Sequence, residues 1–136
     1  MKKSIYGFHL IEILMTIAII GITASLSFPL YTQYLVQARR VEAKNTLSQL
    51  ALAMEQYHIE HNSYEDATLV NLNFPEMIAK ENYQLSIQNA TGQDYLLSAI
   101  PLGKQLEKDR ECQTLSLNAK NEKMITGHGS IAECWS

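Results

Sequence analysis

The pattern of hydrophobic and polar positions divides the chain near Leu30. From Phe8 to Leu30, 23 residues carry one carboxylate, Glu12, and one histidine, His9. At about 1.5 Å per residue a helix of that length measures roughly 34 Å, enough to cross a hydrocarbon core of about 30 Å. The stretch Tyr31–His61 that follows contains no Gly or Pro. In it Leu47, Leu50, Ala51, Met54, Tyr57, His58 and His61 recur at three- and four-residue steps and mark one helix face, while Glu42, Lys44, Asn45, Gln49, Glu55 and Gln56 point elsewhere. No polar break separates the two patterns, so the sequence predicts one helix of about 50 residues. Gly21 and Pro29 weaken it. Pro29 removes a donor and crowds the carbonyl four residues back, which predicts a bend near Ser25–Pro29. In lipid the freed backbone groups need partners, and Thr23, Ser25 and Ser27 are at hand.

Asn62-Ser63 ends the helical pattern. Residues 63–82 show no clear period, with a short helical turn expected at Glu76–Lys80. The period then becomes two. Tyr83, Leu85 and Ile87 alternate with Gln84, Ser86 and Gln88, the signature of a half-buried strand. Ala90-Thr91-Gly92-Gln93 is a turn, and Tyr95–Ile100 the returning strand, stopped by Pro101. A polar loop is expected at 102–111, a third strand at Thr114–Leu117 and a fourth at Lys123–Thr126, with Asn121 able to turn left-handed between them. The expected fold class is α+β: a long N-terminal helix, membrane-spanning in its first half, packed on a roughly four-stranded antiparallel sheet.

Composition changes this picture little. The chain is 46% hydrophobic and 18% charged, with a formal net charge of −3. Loss of residues 1–7 would remove Lys2 and Lys3 and leave −5. That balance gives nucleic-acid binding no support, and leaves it open. Arg39, Arg40 and Lys44 follow the apolar segment as Lys2 and Lys3 precede it, so positive charge alone does not orient the span. An ordinary signal peptide fits poorly: the apolar run is too long, is interrupted at Glu12, and offers no good cleavage site near Ala24–Ser27.

A carboxylate in an apolar helix costs about 2.5–3.5 kcal/mol on insertion scales, so Glu12 needs an explanation. Either it snorkels at the membrane edge, or a cut after Gly7 places a new ammonium at Phe8, one helical turn away. Here the sequence resembles the class III signal of type IV prepilins and pseudopilins. Lys2-Lys3, then Gly7-Phe8-His9-Leu10-Ile11-Glu12 and an apolar run carry the resemblance, and Pro29, Tyr31 and Tyr34 fall where that family places Pro and aromatic residues. The resemblance implies cleavage between Gly7 and Phe8 and N-methylation of Phe8 by a prepilin peptidase, with Glu12 used in filament assembly. His9 departs from the usual Thr, and slower processing at most is expected, not loss. The implied organisation is a cleaved leader at 1–7, a transmembrane and filament-core helix at 8–30, an amphipathic helix at 31–62 and a globular head at 63–136.

Cys112 and Cys134 enclose a loop that a disulfide would stabilise by about 3 kcal/mol. Such a bond needs an oxidising compartment, which puts the C-terminal side outside the cytoplasm. Two cysteines without histidines at ligand spacing make a poor zinc site, and a reactive pair would more typically read Cys-x-x-Cys. Tyr95–Pro101, Gly103, Gln105, Asp109, Cys112, Thr114–Leu117 and Cys134-Trp135 are similar to the heads of PilE-type minor pilins. Gln113 and Asn121 stand where those heads often have Gly.

The resemblance therefore implies a minor pilin subunit acting in pilus assembly, and thereby in twitching motility, adhesion or DNA uptake. Other pilin subunits, the prepilin peptidase and an inner-membrane assembly platform would be its partners. It would sit in the bacterial inner membrane with a periplasmic head, then in the pilus at the cell surface. A type II secretion pseudopilin is the rival; major pseudopilin heads tend to carry a calcium loop in place of the terminal disulfide. No cofactor, metal or catalytic role is expected: no Gly-x-Ser-x-Gly, phosphate loop or acid pair is present, and Glu55, His58 and His61 on one helix face are expected to pack at a core edge. Arg39, Arg40 and Lys44 are expected on a solvated or subunit-facing side.

Overall fold

The computed structural model describes residues 7–136; apart from Gly7, the leader expected at 1–7 lies outside them. Two compact units result, the first ending at Leu35 and the second spanning Val36–Ser136. Helix α1, Leu10–His61, contributes to both.

In the first unit the side chains from Phe8 to Tyr31 are exposed. Among the described residues this is the helix long and apolar enough to cross a membrane, with a mean hydropathy of 2.1 over 18 residues. The helix is unbroken through Gly21 and Pro29. Pro29 has no N–H for the Ser25 carbonyl. The nearby hydroxyls back-bond to other carbonyls: Thr23 Oγ1 donates to Ile19 O at 3.0 Å, Ser25 Oγ to Ile22 O at 2.7 Å and Ser27 Oγ to Thr23 O at 2.8 Å.

In the second unit α1 buries Val36, Ala43, Leu47, Leu50 and Met54, a seven-four-three-four spacing that makes one stripe. The expected face is correct at Leu47, Leu50 and Met54 but not at His61, which is exposed. Its ring stacks on Tyr57 at 4.0 Å and its Nδ1 bonds the Tyr57 carbonyl at 3.0 Å, so it lies along the helix surface. Asn62 ends the helix as expected, with a left-handed φ of 57° and its N–H on His58 O at 2.7 Å.

The sheet is an antiparallel meander of β1 (Met77–Ile78), β2 (Tyr83–Gln88), β3 (Leu96–Pro101), β4 (Leu115–Asn118) and β5 (Lys123–Ile125), in that spatial order. Leu85, Ala99 and Leu115 stand opposite one another across three strands, as do Leu97 and Leu117. All five are buried in the core with the α1 stripe. Four of the strands lie within two residues of their expected limits.

Three local expectations are corrected. The helical turn expected at Glu76–Lys80 is the fifth strand, β1. Ala79, Lys80 and Glu81 after it all have positive φ, 53°, 54° and 62°, which a right-handed turn does not allow. The polar loop expected at 102–111 contains helix α2, Gly103–Lys108. A third helix, α3, covers Ile131–Trp135; Ser130 Oγ accepts from Glu133 N at 3.2 Å and donates to Glu133 Oε2 at 2.9 Å. That Ser-x-x-Glu capping pattern was readable in the sequence.

Candidate functional site

The second unit is held by a buried charge. Asp109, just past α2, is 2% exposed, and Arg40 of α1 reaches it through Nη2 to Oδ1 at 2.7 Å and Nε to Oδ2 at 3.2 Å. Gln105 Nε2 lies within 3.1 Å of Asp109 Oδ2 and of the Tyr83 hydroxyl, and within 3.2 Å of Val36 O. Tyr83 donates to Asp109 Oδ2 at 3.3 Å. Burial and then the Asp109 charge push the Tyr83 phenol well above its ordinary range. Arg40 was expected on a solvated or subunit-facing side; it is instead the counter-ion of this site. Distance in sequence hid the pairing, since nothing local to Arg40 names a partner 69 residues on.

A second cluster closes the far end of α1. Glu55 Oε1 accepts from Tyr64 at 2.8 Å and Tyr95 at 3.3 Å, whose rings meet edge-on at 4.8 Å. Burial and the Glu55 bond raise Tyr64 to about 12, and burial with the Glu55 charge raises Tyr95 further. His58 lies against Tyr64 with ring centroids 4.4 Å apart and its Nε2 bonds Gly92 O at 3.2 Å. Glu55, His58 and His61 therefore have packing and hydrogen-bond duties, and no cluster of metal-ligating side chains occurs among the described residues.

The C-terminal part is fastened covalently. Cys112 and Cys134 form a disulfide with Cα atoms 5.6 Å apart. Gly127-His128-Gly129 runs beside Arg110–Cys112, with Gly127 N on Cys112 O at 3.2 Å and Gly129 N on Glu111 O at 2.8 Å. A Cβ on Gly127 would overlap the Glu111 carbonyl, so only glycine fits there. Trp135 donates to Met124 O at 3.2 Å, and Lys123 Nζ sits 5.5 Å from its ring centre. Lys44 donates to the Ser136 carbonyl; burial, then Arg40 and Lys123, lower its pKa.

The remaining site residues lie at the start of the chain. Gly7 and Phe8 precede α1, and Phe8 is 79% exposed. Glu12 is in the first turn of α1, exposed, with its N–H on His9 O at 2.9 Å and its carbonyl accepting from Thr16 Oγ1. Between Phe8 and Ala38 no other Asp, Glu, Lys or Arg occurs.

Residues 29–116 match the family model of the type IV minor pilin ComP, described as a DNA uptake sequence receptor. The chain belongs to this family. The pilin is 28% identical over 116 residues to the type IV major pilin PilE1 of Neisseria gonorrhoeae, an alignment covering 85% of this chain and 53% of that protein. It thus spans about half the length of that relative. It is 35% identical over 60 residues to the type IV major pilin PilA of Myxococcus xanthus, 44% of this chain and 27% of that one. In fold it is similar to a crystal structure of the non-core minor pilin PilV of Neisseria meningitidis, with a TM-score of 0.51, 18% identity, and coverage of 67% of this chain and 89% of that one. These matches favour the pilus over the secretion pseudopilus, and place the pilin in a family of structural proteins with a membrane-type N-terminal helix.

The two positions where glycine was expected from the resemblance have backbone that favours glycine. Gln113 has φ 54° and Asn121 φ 60°, both left-handed. Asn tolerates that conformation through its short polar side chain, whereas Gln113 is strained.

Proposed function

We propose that this pilin is cut between Gly7 and Phe8, methylated at Phe8, and built into a type IV pilus through the helix that follows. The observation that carries the reading is the lone charge at Glu12, exposed four residues beyond Phe8 in a stretch otherwise free of Asp, Glu, Lys and Arg up to Ala38. Packed among like helices, an unpaired carboxylate penalises every register that does not bring it an ammonium. The Phe8 ammonium, its own or a neighbour's, is that partner, and a bend at Pro29 belongs to the same helix design. On this reading residues 8–30 are lipid-borne before assembly and filament-borne after it. The head is periplasmic, then displayed on the pilus. A prepilin peptidase and an inner-membrane platform act on the chain in turn. Membrane-inserted Glu12→Ala should be as abundant as wild type while its amount in sheared pili falls by about tenfold or more; undiminished incorporation would sink the assembly role.

The family description favours a second reading, in which the head binds DNA. From Asn45 to Gly103 the chain has one cation, Lys80, against Glu55, Glu60, Glu65, Asp66, Glu76, Glu81 and Asp94. Phosphate contacts would therefore fall to Arg39, Lys44, Lys104, Lys108, Arg110, Lys120 and Lys123. Affinity of the full chain in detergent for duplex DNA should then fall steeply with salt, and salt-independent or undetectable binding would remove this reading.

A further inference from the structure

The last turns of α1 and the loop at 71–72 line an open groove of about 520 Å³ that neither the apolar segment 8–30 nor the Arg40–Asp109 pair uses. Gln56, Tyr57, Glu60, His61 and Asn71 supply its polar lining. Its volume is within the range of small-ligand sites, about 300–1,000 Å³.

One wall is rigid. The Tyr57 and His61 rings are parallel within 13° at 4.0 Å. Tyr57 is tied at its hydroxyl to Glu65 O at 3.3 Å, and His61 at Nδ1 to Tyr57 O at 3.0 Å. A carbonyl only accepts, so Nδ1 carries a proton, and in the neutral ring Nε2 is an acceptor. Asn71 is positioned by its own N–H on Thr68 Oγ1 at 3.2 Å. Gln56 Nε2 donates to Glu60 Oε1 at 3.3 Å, which leaves Gln56 Oε1 and Glu60 Oε2 for other donors. With Asn71 Oδ1 and His61 Nε2 that makes four acceptors beside one stacked aromatic pair.

An acceptor-rich groove selects a ligand rich in donors. Because no Lys or Arg occurs between Asn45 and Ala79, a phosphate, sulfate or sialic acid would meet only the Glu60 charge. A neutral sugar suits both features: vicinal hydroxyls donate to carboxylate and carboxamide oxygens, and the C–H face of a pyranose packs on a flat ring. We propose that this groove is a binding site for neutral pyranose glycans, at the opposite end of α1 from the apolar segment 8–30 that assembles the pilin.

Saturation-transfer NMR on the full chain in dodecylphosphocholine, a detergent without a sugar head group, tests it. The probes are methyl β-galactopyranoside, methyl β-glucopyranoside, 3′-sialyllactose and tri-arginine. Transfer to a neutral pyranoside is expected, reduced about fivefold or more in Glu60→Ala and in Asn71→Ala. Both residues are exposed, so these variants keep the fold, which circular dichroism checks. No transfer to either pyranoside, equal transfer in both variants, or transfer to tri-arginine alone overturns the proposal. A chain that fails to enter pili can still pass this test, and one that enters them can fail it.

Discussion

Arg40 on α1 and Asp109 beyond α2 make a two-pronged ion pair at 2.7 and 3.2 Å, with Asp109 almost wholly removed from water. Breaking such a pair from one side leaves an uncompensated buried charge. Arg40→Met should therefore cost about 3–5 kcal/mol, and Arg40→Met with Asp109→Leu clearly less than that. Urea denaturation of the three proteins, with tryptophan fluorescence from Trp135, checks the order.

Gln113 stores strain in a left-handed backbone that glycine adopts freely. Gln113→Gly should stabilise the head by about 1 kcal/mol, because a left-handed non-Gly residue carries roughly that penalty. Asn121→Gly should change stability by only a few tenths of a kcal/mol in the same denaturation series.

The helix and the four longer strands were legible in the sequence because each rests on a long or repeated signal, and the disulfide because the chain has two cysteines. A period of 3.6 over Tyr31–His61 and a period of two over Tyr83–Gln88 need no tertiary knowledge. Two residues at Met77–Ile78 carry no period, so β1 could not be seen. Arg40 looked like a surface charge because its partner is fixed only by the fold. The Gln105 and Asp109 positions were noticed as a family pattern, but their duty, holding Arg40 and Tyr83 together, required the structure.

The disulfide between Cys112 and Cys134 should contribute about 3 kcal/mol, by closing a loop of that length in the unfolded chain. Dithiothreitol or Cys112→Ser with Cys134→Ser should lower the melting temperature by about 12–24 °C, at about 4–8 °C per kcal/mol for a head of this size. An unchanged melting temperature in the double serine variant would contradict this.

Alkaline pH should unfold the head through its buried phenols. Tyr64 is raised to about 12 in the folded state, with Tyr83 and Tyr95 also raised. A raised folded pKa means this stability is fully present below the unfolded value, about 10, and is lost as pH rises through the folded one. Stability should be flat with respect to these groups up to pH about 10 and fall beyond it. Tyr64→Phe with Tyr95→Phe should flatten that fall, as followed by circular dichroism against pH.

Everything said of assembly depends on Phe8 becoming the first residue, because only then does Glu12 have an ammonium one turn away. Mass spectrometry of the mature chain from sheared pili measures this directly. The account predicts an N-terminal peptide beginning with N-methylated Phe8. A mature chain that retains residues 1–7, or one that begins near Ala24–Ser27, would contradict it.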